Sequence, residues 1–186
     1  LHPRVRRQRQ MCIRDRDTIM NEIRNFLLSP EEYLDTFWES DALIWVDWRE
    51  YDESIIKYIN ERLPEEDKVK FTCVEVEKER DIDIILEKNG ISTAIPYAEE
   101  YTDRDTTLKS LQEYVSPKYQ IRWFMGSLGS DTLAFCICPS TQWEQLEEEF
   151  GAEKVAYHFA PIKEDSVMFQ MGMDEVFDLM KQRGES

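Results

Sequence analysis

Hydrophobic and polar positions along this chain fall into short amphipathic pieces, each closed by a proline, a glycine or a polar cluster. From Asp17, Ile19, Ile23, Phe26 and Leu27 recur at intervals of three and four, which is one face of a helix. It stops near Ser29. There Ser29-Pro30-Glu31-Glu32 offers an N-cap, a proline at the first helical position and an acid three residues past the cap. A second helix over 30–39 would bury Tyr33, Leu34, Phe37 and Trp38. The run 42–48 is short, β-branched and aromatic, and predicts a buried strand. A helix capped by Asp52 follows, with Ile55, Ile56, Ile59 and Leu63 on its inner stripe and Pro64 as its stop. Val69, Phe71 and Cys73 then alternate with polar residues ahead of Val74 and Val76, predicting a strand over 68–77.

The stretch 81–88 reads as a helix closed by Asn89-Gly90, a pair suited to the left-handed C-terminal position. A short strand over 91–95 is limited by Pro96, and the polar, acidic stretch 97–105 predicts a long exposed connection. Leu108, Leu111 and Val115 mark the next helix, ended by Pro117. Two β-like runs, 119–125 and 132–138, flank the glycines and small polar residues of 126–131 and form a natural hairpin. Thr141 and Glu144 can cap one another at the start of a helix that turns Trp143, Leu146 and Phe150 inward and closes at Gly151. Residues 155–159 predict a strand cut off by Pro161. Over 166–182, Val167, Met171, Val176, Phe177, Leu179 and Met180 define an amphipathic helix that breaks near Gly172 and packs on the sheet.

Residues 42–76 and 132–159 thus share a strand, helix, strand layout, a crossover that normally joins parallel strands, whereas the 126–131 turn demands an antiparallel neighbour. The expected fold is α+β: a single domain with a mixed sheet of about five or six strands covered by helices. A length of 186 residues suits one such core, and 41% hydrophobic with 12% aromatic residues is too apolar for a disordered acidic chain.

Residues 1–16 stand apart, with six arginines against the single acid Asp15. The string 8–16 resembles a translated sequencing adapter, so this segment is expected to be non-native or disordered, with a nucleic-acid-binding arm as the functional alternative, and 17–186 to form the domain. Met20, or a residue upstream, would then be the natural start. Setting the segment's six arginines and one aspartate aside deepens the formal charge from −16 to −21. A field of that sign repels nucleic acid and anionic membrane and favours a cationic partner, if it is not simply a means of staying soluble.

Cys12, Cys73, Cys136 and Cys138 do not suggest a disulfide framework, and no apolar run reaches the length of a membrane span. A bacterial cytoplasmic protein is expected. Candidate chemistry is sparse. His158 is the one histidine outside the opening segment, and alternation places it on the open face of a strand. Cys136 and Cys138 share a strand face without a second ligand pair, so buried small hydrophobes explain them better than a metal. The 126–130 loop lacks the lysine and spacing of a phosphate loop and reads as a turn. Asp47, Asp131 and His158 are the residues a small hydrolase or transferase would have to use, with a strand-end capping role the simpler account of Asp47. Neither cofactor nor metal is expected. Glu99, Glu100, Asp103 and Asp105, with Glu144, Glu147 and Glu148, are the candidate partner-binding acids. The leading expectation is an acidic binding protein, such as an immunity or inhibitor protein that neutralises a basic toxin or nuclease. The alternatives are the carboxylate-based enzyme and a housekeeping domain.

Overall fold

A computed structural model of the chain describes residues 13–75, 82–97 and 103–185. Its centre is the predicted hairpin: β5 (Tyr119–Phe124) and β6 (Thr132–Pro139) pair antiparallel, with Arg122 opposite Cys136 and Phe124 opposite Ala134. Strand β1 (Ile44–Asp47) adds to the free edge of β6 and β7 (Phe159–Pro161) to that of β5, giving the order β1-β6-β5-β7. These runs are apolar at nearly every position because both faces of the sheet are covered. Ile121, Trp123, Leu133, Phe135 and Ile137 point one way; Phe124, Ala134, Cys136 and Cys138 point the other.

The second face carries a helical layer of α1 (Ile13–Leu28), α2 (Pro30–Trp38), α5 (Ser140–Phe150) and α6 (Ala152–His158). Ile19, Ile23, Phe26 and Leu27 form the inner stripe of α1, as their spacing requires. Beneath it Phe26, Phe37, Phe124 and Phe159 pack ring against ring, with centroids 4.8 Å apart for Phe26–Phe37 and 5.1 Å for Phe37–Phe124. The first face carries α3 (Asp52–Asn60), α4 (Arg104–Val115) and a second sheet of β2 (Lys70–Glu75), β3 (Ile82–Lys88) and β4 (Ile91–Ala94), in that order. The Asn60 side chain clamps the entry to β2 by exchanging two hydrogen bonds with the Val69 backbone, at 2.7 and 2.9 Å. Helix α7 (Met173–Gln182) closes the chain and rests Val176, Leu179 and Met180 on the same core.

The α+β class is as expected, but the strands form two wholly antiparallel sheets rather than one mixed sheet. After α3 the chain does not return to β1. Strand β2 finds its partner in β3, where closing a hairpin costs less chain entropy than a crossover. That strand occupies the stretch expected to be helical. Ile84 and Leu86 alternate with Asp83, Ile85 and Glu87, and Asn89 and Gly90, at φ 54° and 76°, make a two-residue hairpin turn instead of a helix C-cap. Residues 155–158 are likewise helix, not strand, which places Val155 and Phe159 together on the inner face of the aromatic core. Ser29 and Thr141 give no capping bond; α5 instead starts at Ser140, whose hydroxyl holds the Pro117 carbonyl at 2.6 Å. The last amphipathic stretch is helical only beyond Gly172, which serves as the N-cap of α7. No described helix is long and apolar enough to cross a membrane.

Candidate interaction surface

Of the residues singled out for chemistry, Asp47 and Asp131 share a turn and His158 lies apart from them. Asp47 ends β1 opposite Thr132, and its carboxylate accepts the Arg49 backbone N–H at 2.8 Å and the Thr132 hydroxyl at 3.3 Å. Asp131 joins it through its carbonyl, which accepts the Trp48 N–H at 3.0 Å. Both acids therefore hold the strand-end turn from which Trp48 and Tyr51 are exposed. His158 precedes β7 at the opposite edge of the sheet, three strand spacings or about 14 Å away. Its ring meets Phe26 and Tyr157 edge-on, with centroids at 5.2 and 4.9 Å. Burial, with Arg183 and Lys154 nearby, pushes its pKa down to about 4, so the imidazole is neutral at neutral pH. The three do not share a cleft.

The cysteines are equally quiet. Cys136 and Cys138 lie inside the helical-layer core as free thiols; burial holds the first well above its ordinary pKa and pushes the second up to about 12. Neither is a thiolate near neutrality, which is the form a nucleophile requires. In the 126–130 loop, the buried Ser127 hydroxyl donates to the Phe124 carbonyl and accepts the Ala134 N–H and the Trp123 indole, pinning the hairpin end.

The candidate acids divide. Asp103 and Asp105 are buried, at 7% and 4% exposure, and do not belong to an outward face. The Asp103 carboxylate caps α4 by accepting the Thr106 N–H at 2.6 Å. Asp105 accepts three consecutive backbone N–H groups, of Met168, Phe169 and Gln170, at 3.0, 2.8 and 3.2 Å. Glu147 leans inward to the buried Arg122 at 2.5 Å, whose guanidinium also covers the Trp143 ring. Glu144 and Glu148 are exposed on α5, and Glu99 and Glu100 lie outside the described residues. Helices α2, α5 and α6 nevertheless carry Glu31, Glu32, Asp35, Glu144, Glu147, Glu148, Glu149 and Glu153 against Lys154 alone among lysines and arginines. Arg24 of α1 answers one of them, Glu149, at 2.9 Å.

A further feature was not anticipated. Beside β7, on the side of the sheet away from the acidic helices, a hollow of about 150 Å³ opens between the 162–171 segment and α7. Trp123, Met125, Ile162 and Met168, each under a tenth exposed, line it together with Met171 and Leu179. The available sequence signal was the crowding of Met168, Met171, Met173 and Met180 near the C-terminal end, which periodicity alone assigns to a helix stripe. No family model, curated protein or solved structure matches this chain.

Proposed function

We propose that the chain is an acidic binding protein for a basic protein, and that an immunity or inhibitor protein acting on a basic toxin or nuclease in the cytoplasm is the form of this role that suits it. The carrying observation is the outer surface of α2, α5 and α6, where seven exposed carboxylates stand against Lys154 and only Glu149 among them is paired across the layer, with Arg24 of α1. A field so one-sided accelerates encounter with cationic surfaces and disfavours anionic ones. Asp47 and Asp131 share one strand-end turn, but His158 lies across the sheet from them and each is engaged in local structure, so the carboxylate-enzyme reading has no assembled acid–base pair in its favour.

Stopped-flow binding to a panel of basic proteins, a basic nuclease among them, tests the reading across a salt series. The association rate should fall about tenfold or more between low and physiological ionic strength. Glu144→Lys with Glu148→Lys should slow association while leaving the fold intact, since both side chains are exposed. Rates indifferent to salt and to these reversals, or no complex with any basic protein, would refute it.

A further inference from the structure

The hollow beside β7 is unlike an ordinary packing defect in three respects. It opens to solvent, its floor is a tryptophan and two methionines that are nearly inaccessible, and the strand forming one wall has no strand on its outer edge among the described residues. A space of about 150 Å³ lined by apolar groups is the size that takes up a benzene ring. Methionine adapts its unbranched side chain to whatever enters, which makes such walls tolerant of aromatic and aliphatic guests. Of the seven methionines in the chain, Met125, Met168 and Met171 line the hollow, and Met173 and Met180 belong to the adjoining α7.

The rim is acidic. Glu164 and Asp165 are exposed in the turn between the lining residues Ile162 and Ser166, with Lys163 beside them. On α7, Glu175 lies about 40° from Leu179 by the 100° advance per residue of a helix, and its carboxylate accepts the Gly172 N–H at 2.9 Å. Val167, at 45% exposure, stands at the mouth. An apolar socket with a pair of exposed carboxylates at its edge complements a large apolar side chain flanked by lysine or arginine. It does not complement a second copy of this chain, whose net charge of −16 opposes self-association.

We propose that this hollow is the anchor site for the basic partner: one phenylalanine- or leucine-sized side chain of the partner enters between β7 and α7, and its basic neighbours meet Glu164 and Asp165. The assignment rests on the binding reading above and adds where the partner docks. The overall negative charge sets how fast it arrives; the hollow sets how long it stays.

The test uses three short synthetic peptides on the full chain: lysine-rich with one central phenylalanine, the same with central alanine, and the phenylalanine peptide with glutamate in place of lysine. Methionine-methyl NMR reports the place of binding, with Met20, in the core across the sheet, as the internal control. The phenylalanine–lysine peptide should bind about tenfold or more tighter than its alanine counterpart, shifting the Met125, Met168 and Met171 methyls and not that of Met20. Val167→Lys, at an exposed position that leaves the core untouched, should abolish that preference. Equal binding of the phenylalanine and alanine peptides, or shifts spread equally to Met20, overturns the anchor site while leaving the charge reading standing. Equal binding of the glutamate peptide overturns the basic-partner assignment in favour of a small apolar ligand. A dimer that forms through Met171 as concentration rises, seen by sedimentation, overturns it in favour of self-association. Failure of both lysine peptides to bind better than the glutamate peptide at low salt removes the charge reading itself.

Discussion

Replacing Asp105 by alanine removes one carboxylate and strands three backbone donors. In the native chain Oδ1 takes the Phe169 N–H at 2.8 Å, and Oδ2 takes those of Met168 and Gln170 at 3.0 and 3.2 Å. Hydrogen bonds to a charged acceptor contribute about 1.5–3 kcal/mol each, and a buried donor left without a partner costs about 1–3 kcal/mol. Summing three such bonds overstates the effect, because the 168–170 backbone can swing outward and recover water. A net loss of about 3–4 kcal/mol is therefore expected, most of it from the Met168 donor, whose residue is only 4% exposed. Asp105→Asn keeps one acceptor and should lose about half as much. Urea unfolding followed by tryptophan fluorescence measures both, and an unchanged m-value would show that only native stability has moved. The same carboxylate holds the segment that carries Val167, Met168 and Met171, so the alanine variant should also blur the Met168 and Met171 methyl signals in the folded state. An Asp105→Ala protein within about 0.5 kcal/mol of the parent, with sharp signals, would refute this account of how the hollow is built.

Three other outcomes are expected. Gly126→Ala should lower stability by about 1–3 kcal/mol in the same urea assay, because its new methyl would stand 2.5 Å from Phe124 Cζ, inside the buried aromatic cluster. Glu147→Ala should cost about 2 kcal/mol by leaving Arg122 buried without its carboxylate, whereas Glu148→Ala on the exposed face should change little. His158 has a folded pKa of about 4 against 6.5 when unfolded, so between those values the unfolded chain binds the extra proton. Stability should accordingly be full above about pH 6.5 and decline as pH falls toward 4, and His158→Phe should flatten that part of a pH series of thermal unfolding curves.

Much of this fold could be read in the chain because burial writes a period into the sequence. The inner stripes of α1 and α3, the β5–β6 hairpin and the apolar run of β1 stand where their spacing put them. The misassigned stretches are those in which two readings share the same letters. Residues 82–88 hold isoleucines at 82, 84 and 85, which satisfies a helix face as well as a strand, and Asn-Gly serves a left-handed helix end and a tight hairpin turn alike. Only the neighbouring strands β2 and β4 decide between them, and pairing is a tertiary fact. The two-sheet division is of the same kind: the strand, helix, strand pattern allows a crossover but does not show that the second strand has a better partner next in sequence.

The surface was legible in its charge and illegible in its shape. Net charge is additive over residues, so the acidity survives any error in topology, and Glu144 and Glu148 do face solvent. Whether one particular acid points outward depends on which backbone donors lie near it. Asp103 and Asp105 sit among seven acids counted for a partner, yet the start of α4 and the 168–170 segment claim both. The hollow depends still more on assembly, since its walls come from β5, β7, the 162–171 segment and α7, parts separated by up to some sixty residues. Its one local sign was methionine in place of leucine on an amphipathic stretch. Leucine would have packed the 168–171 segment as well or better, whereas a flexible, polarisable side chain gains its advantage where the shape to be filled is not always the same. On that physical ground the methionine-lined wall is better explained as a surface that receives a guest than as a core that closes on itself.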